Sequence, residues 1–261
     1  MVKKIQKIVN LISASDRNDR LRVLFEIRLN KLIFGHKPLD AMNFNCFLSR
    51  ISETCLPNLL KTIGEAEEAA SWVHSNFENV EKNKHNLPFP NHYNADSSLS
   101  IICHALTRYL KPAVVLETGV AYGMTSAVVL LAIERNNCGK LISIDLPPLS
   151  DPSGKFTGFG IPKHLRNDWI LHLGSTRRLL PKVVEKTKNM GLFISDSANI
   201  YSLQRYEFES VWKTLSSGGV MVFNNISRKL QKYLKSTEKS EFYSVWQTEK
   251  PSCVTGILLK K

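Results

Sequence analysis

The segment Val114–Ser126, VVLETGVAYGMTS, constrains the fold of this chain more than any other stretch. An apolar run ends in Glu117, Gly119 and Gly123 flank a tight turn, and Thr125-Ser126 opens a second apolar run. That order predicts a buried parallel strand whose carboxyl end turns through glycines into a helix. Glycines let the backbone approach a ligand closely, and the new helix offers it free N–H groups. A second apolar run, Lys140–Leu146, carries Asp145 near its end. The acid follows the turn by ~20 residues, the spacing at which such folds hold a ribose hydroxyl. Together the two segments predict a nucleotide-cofactor site.

Strand and helix signals alternate around this motif. A helix at Ser97–Leu110, capped by Asp96, precedes a strand at Ala113–Glu117, a helix at about Thr125–Asn136 and a strand ending at Asp145. Further strands are expected at Trp169–Leu173, Leu192–Asp196 and, after a Ser217-Gly218-Gly219 turn, Val220–Asn224. Helices at Arg178–Lys188 and Gln204–Leu215 separate them. Such alternation predicts a Rossmann-like, doubly wound α/β sheet. Phe242–Thr248 and Cys253–Leu259, joined by a Pro-containing turn, predict an antiparallel hairpin that closes it. Upstream, helices are expected at Arg17–Leu32 and about Asn58–Phe77, the latter with Glu65, Glu67 and Glu68 toward solvent. The polar stretch Glu81–Asn94 reads as a boundary or cover loop. The expected organisation is an N-terminal helical extension over 1–94 and a cofactor-binding domain over 95–261.

A chain of 261 residues, 43% hydrophobic, suits one large domain with an extension better than two equal ones. Its five scattered cysteines have no metal-ligand spacing, so reduced thiols in a cytoplasmic protein are expected, with Cys103 and Cys253 in the core. Lys7 and Asn10 interrupt the N-terminal apolar stretch, and nowhere are there 18 apolar residues in a row, which argues against a signal peptide or a membrane span. The net charge of +12 is concentrated in residues 1–37, 155–190 and 228–261. Solvated helix faces account for such runs; an anionic substrate, an acidic partner, a membrane surface or nucleic acid are the sharper readings.

This succession resembles the class I S-adenosylmethionine-dependent methyltransferases, whose seven-stranded, mostly parallel sheet ends in an antiparallel hairpin. VVLETGVAYGMTS, SIDLPP at 143–148, IPKHLRNDWILHLGSTRRLLP at 161–181, LFISDSANIY at 192–201 and SSGGVMVFNNI at 216–226 look like the small-molecule and saccharide O-methyltransferases related to cephalosporin-biosynthesis methyltransferases. The resemblance covers about residues 95–226. It implies S-adenosyl-L-methionine as cofactor. Glu117 would anchor the methionine amino group, Gly119 and Gly123 would allow close backbone approach, and Ala121, Tyr122, Thr125 and Ser126 would line the methionine end. Asp145 would accept the ribose hydroxyls. Asp196 would face the methyl donor and acceptor.

Three departures shape the expected chemistry. Where the family commonly has Gly-Asp-Ser, with the acid toward the adenine amine, this chain has Gly174-Ser175-Thr176, and Ser175 brings no charge. The family's Asp-Ser-x-His-x-Tyr reads here with Asn199 for the histidine, and its Asp-Asp reads Asn224-Asn225. Asp196 with two or three amides is a poor Mg²⁺ site, so no catalytic metal is expected. Asparagine cannot abstract a proton, which leaves Asp196, His164, His85 or His92 as base and Asn199 and Asn224 as orienting groups. His172 is expected as a packed sheet residue, and Tyr201 as either an acceptor contact or a packing aromatic. The expected activity is metal-independent methylation of a hydroxyl or amine on a small-molecule or glycan acceptor, which the charge allows to be anionic. A catalytically degenerate binding or scaffold subunit and a nucleic-acid methyltransferase are the alternatives, although SDSANIY lacks the pattern that holds a flipped base and no RNA-binding module is recognisable. Lys3, Lys4, Lys7, Arg17, Arg20 and Arg22 suggest peripheral membrane contact, and the amphipathic N-terminal helices a homodimer.

Overall fold

The computed structural model describes residues 16–33, 39–82, 87–89 and 95–261. Seven strands form one sheet: β1 Val114–Thr118, β2 Lys140–Asp145, β3 Trp169–Leu173, β4 Met190–Ser195, β5 Leu215–Phe223, β6 Ser240–Trp246 and β7 Val254–Lys260. Their order is β3-β2-β1-β4-β5-β7-β6. β1 to β5 pair in parallel, and β7 lies antiparallel between β5 and β6. The expected doubly wound sheet and terminal hairpin are therefore present. The chain order reverses between β1 and β4, and ligands gather at the carboxyl ends of strands flanking such a switch.

Helices α1 Arg17–Ile33, α2 Phe44–Thr54, α3 Ile63–Lys82, α4 Ser97–Leu110, α5 Met124–Asn136, α6 Thr176–Lys186, α7 Tyr201–Val211 and α8 Arg228–Lys235 surround the sheet. Because β1, β2 and β4 are covered on both faces, they read as nearly continuous apolar runs. On one face Val115, Leu141, Leu192 and Val222 pack with Phe47 and Ile51 of α2, Val73 and Phe77 of α3, Leu99 and Ile102 of α4 and Val128 of α5. On the other, Leu116, Phe193, Met221 and Leu258 pack with Leu180 and Val184 of α6, Phe208 of α7 and Leu230 of α8. The N-terminal α2 and α3 thus share one core with the sheet instead of forming a separate layer. No described helix is long and apolar enough to cross a membrane.

The structure corrects several sequence expectations. α2 and α8 were not foreseen. The helix expected from Asn58 begins as a 3-10 turn at Leu59–Thr62 and continues as α3 to Lys82. Glu65 does not face solvent freely: it pairs with Arg108 at 2.7 Å and Arg135 at 3.4 Å. The Ser217-Gly218-Gly219 turn lies inside β5. Pairing jumps from Met190↔Leu215 to Leu192↔Val220, so Ser216–Gly219 bulge out of the ladder. Cys103 is buried as expected, but Cys253 is only half-buried just before β7. Asp96 caps α4 and does more, since its carboxylate also accepts the Thr248, Glu249 and Lys250 N–H groups and ties the hairpin turn to α4.

Candidate active site

Three acids stand at the carboxyl ends of adjacent parallel strands: Glu117 in β1, Asp145 at the end of β2 and Asp196 just after β4. Glu117 is fully buried. Its Oε2 accepts hydrogen bonds from Ser126 of α5 at 2.6 Å and from Ser143 at 2.7 Å, the residue paired with it across the β1–β2 ladder. The Trp169 indole N–H donates to Ser143 Oγ at 2.9 Å, orienting that hydroxyl toward the acid. Glu117 Oε1 has no protein partner. Burial pushes the carboxyl up to about 8, helped by the Asp196 and Asp145 charges and opposed by the two serines. Ser126, expected to line the methionine end, here holds Glu117, while Thr125 lies 3.4 Å from Asp196 Oδ2.

The turn after β1 is shaped by the protein's own backbone. Gly119 has φ +85°, and a Cβ there would sit 2.2 Å from the Asp196 carbonyl oxygen; Gly123 has φ +86° and faces Ile161. Both glycines are therefore required before any ligand arrives. Ala121 also adopts positive φ, at 48°. Its carbonyl accepts the Gly158 N–H, and Tyr122's carbonyl accepts the Gly160 N–H, so the loop after β2 lies along the turn. The Tyr122 ring is buried against Phe77 and Phe89 and its hydroxyl bonds the Phe89 backbone. Its side chain thus anchors residue 89 in the core, a correction to its expected place at the methionine end.

Asp145 Oδ1 accepts the Val120 N–H at 3.1 Å, and Oδ2 the Thr157 hydroxyl at 3.1 Å. Burial raises its pKa, opposed by these two hydrogen bonds and by the nearby backbone amides of Ala121 and Leu146. Ser175 is buried at the start of α6 and makes no capping bond with its side chain. Beside it, Asp16 pairs with Arg178 at 2.9 Å, and Arg20 of α1 donates to the Pro147 carbonyl at 2.6 Å. Arg20 is therefore turned onto this end of the site. Arg22 pairs with Glu26 at 2.9 Å.

Asp196 is half-buried, and Asn224 just after β5 donates to its Oδ1 at 2.5 Å. Burial moves its carboxyl up to about 6, opposed by the Asn224 bond and the Lys250 charge. Gln247 donates to the Asn224 side-chain oxygen, so both ends of that amide are engaged. Asn199 is exposed, and in the orientation that satisfies it the amide donates to the Asn224 and Ser197 carbonyls at 3.1 and 3.2 Å. It braces the loop after β4 instead of orienting a group on Asp196. His164 is exposed on the 3-10 turn Lys163–Asp168, before the edge strand β3, whereas Asp196 follows β4 three strands away. The structure thus separates His164 from Asp196, a correction to its candidacy as base. His85 and His92 lie outside the described residues. His172 is half-buried within β3.

Sequence reasoning missed Glu207 of α7. It is fully buried, accepts Ser195 Oγ at 2.5 Å and Ser197 Oγ at 2.7 Å on either side of Asp196, and burial raises its carboxyl to about 7. A glutamate on a helix with polar neighbours reads as solvated, so only packing reveals it. Ser143 had a weak signal, a polar residue within an apolar strand.

Residues 116–226 match the model of a family described as a methyltransferase domain. That span runs from β1 through β5 and contains all three acids. Solved structures extend the likeness to most of the chain. The O-methyltransferase TomG from Streptomyces achromogenes, involved in tomaymycin synthesis and solved with S-adenosylmethionine, is 16% identical at a TM-score of 0.54, covering 82% of this chain and 95% of its own. An O-methyltransferase from Bacillus cereus, solved with S-adenosylhomocysteine, is 12% identical at 0.53, covering 82% and 96%. No curated protein matches the sequence. The fold is the Rossmann-like fold of these methyltransferases.

Proposed function

We propose that this chain is an S-adenosylmethionine-dependent methyltransferase that works without a metal ion on a hydroxyl or amine of a small molecule or glycan. The observation that carries the reading is the unpartnered, buried Oε1 of Glu117 beside the glycine turn, with Asp145 and Asp196 on the flanking strands. A buried carboxyl oxygen without a hydrogen-bond partner is costly. A ligand with an ammonium group satisfies it, and a cation also offsets the mutual repulsion of the three acids. S-adenosylmethionine supplies a methyl group on an electrophilic sulfonium. Glu117 would hold the amino group, Asp145 and Ser175 would face the nucleoside end, and Thr125 and Asp196 would stand toward the acceptor. With its carboxyl near 6, Asp196 takes a proton from the acceptor close to neutral pH. Metal independence is supported by the donor chemistry: Asn224 turns an N–H toward Asp196, and its oxygen is held by Gln247, so that amide presents no free ligand atom.

The supporting measurement is calorimetric titration of the purified chain with S-adenosylmethionine and S-adenosylhomocysteine. Saturable one-to-one binding is expected, and silence at millimolar concentration rejects the proposal. The Asn199 contacts, which engage only backbone carbonyls, favour a non-catalytic binding subunit as the second reading. Formation of S-adenosylhomocysteine on offering hydroxyl and amine acceptors discriminates the two.

A further inference from the structure

Glu117 and Asp145, the acids of neighbouring strands, are prepared differently. Glu117 keeps one oxygen without a protein partner. Asp145 has a protein donor on each carboxylate oxygen: the Val120 N–H on Oδ1 and the Thr157 hydroxyl on Oδ2. The first belongs to backbone that the glycine turn holds in place. The second is different in kind, because it comes from the loop joining β2 to β3.

That loop is built to deliver Thr157. Asp151 caps it from within, accepting the Phe156 N–H at 2.8 Å, and its own N–H donates to the Pro148 carbonyl at 2.9 Å. Gly158 has φ +67° and lies so close to the Trp169 ring that a Cβ would be 2.1 Å from it. Gly158 and Gly160 then bond the carbonyls of Ala121 and Tyr122, and Arg166 clamps the Gly158 and Ile161 carbonyls from the other side. Thr157 is buried.

We propose that Thr157 is an internal competitor for Asp145: its hydroxyl occupies the carboxylate oxygen that a ligand diol takes, so it must rotate away when the nucleoside end binds. The inference rests on the cofactor reading above and adds a gate to the same site. A side-chain torsion is enough to open it, since the backbone on both sides of Thr157 stays clamped. The gate keeps Asp145 hydrogen-bonded in the ligand-free protein and lowers ligand affinity by the strength of the bond that must be broken.

Thr157→Val removes the hydroxyl while keeping the shape. Its melting temperature without ligand and its affinity for S-adenosylhomocysteine are compared with those of the unmodified chain. The proposal expects opposite signs: a lower melting temperature, because Asp145 loses a donor, and binding tighter by about fivefold, the equivalent of one ordinary hydrogen bond. Thr157→Ser, which retains the hydroxyl, should bind within about twofold of the unmodified chain. Binding that is unchanged or weaker in Thr157→Val, while the unmodified chain binds well, overturns the gate and leaves the cofactor reading standing. Absence of binding in both proteins overturns both readings. Binding by Thr157→Val alone supports the gate strongly.

Discussion

Glu117 illustrates what a single residue contributes when its neighbours are counted. Its apolar surroundings hold the carboxyl near 8, so in the ligand-free protein it is largely protonated at neutral pH. A ligand ammonium favours the ionised form, so binding expels the proton. Titrations at pH 7 in buffers of differing ionisation enthalpy should therefore show release of about one proton per cofactor bound. Glu117→Gln should weaken binding by at least tenfold and abolish most of that release. Retention of the release in the variant would place the titrating group elsewhere. The acid and its turn were legible in the sequence because a charged residue ending an apolar run is conspicuous. The oxygen left unpartnered was not, since it depends on Ser126 and Ser143 both choosing Oε2. Tyr122 and Asn199 show the reverse: their positions in the motif suggested ligand contacts, and packing turned them onto Phe89 and onto backbone carbonyls.

Among the elements, α6 shows how tertiary contacts repair a local defect. Pro181 lies inside it and has no N–H to offer the Arg177 carbonyl one turn earlier. The Tyr206 hydroxyl of α7 donates to that carbonyl at 3.0 Å instead. Tyr206→Phe should cost about 1 kcal/mol and lower the melting temperature by roughly 2–4 °C. In a Pro181→Ala background, where the helix supplies its own donor, the same change should cost measurably less; equal losses in both backgrounds would refute the coupling. Most strand and helix identities from Ser97 onward were readable because short apolar runs bounded by turn residues alternate there with helical patterns. α2 and α8 escaped notice because their apolar positions matter only against the sheet. The β5 bulge was equally hidden. Ser-Gly-Gly reads as a turn, and only pairing with β4 shows that the strand begins before it.

Across the whole molecule, the buried acids set how stability depends on pH. Glu117, Glu207 and Asp196 have carboxyls near 8, 7 and 6, above their unfolded values. The folded state therefore binds more protons than the unfolded chain between about pH 4 and 8, and stability falls as pH rises through that window. Asp96, Glu26 and Glu209 are shifted the other way, so their contribution disappears as pH falls below about 4. Without ligand the melting temperature should peak near pH 5 and drop by roughly 5 °C or more by pH 8. S-adenosylmethionine should flatten that decline by favouring the ionised acids. A melting temperature that rises from pH 5 to 8 would show that these carboxyls ionise freely in the fold. By itself the sequence determined the order of the strands and of most helices, the glycine turn and the identity of the acids at the carboxyl ends of β1, β2 and β4, because these depend on local pattern and on backbone conformations few residues accept. Only the tertiary structure decided which hydroxyl each acid holds, that Glu207 lies buried behind Asp196, that His164 stands apart, and that α2 and α3 belong to the core. Those outcomes arise from side chains distant in the chain competing for the same few donors and the same buried space, and no window of sequence records that competition.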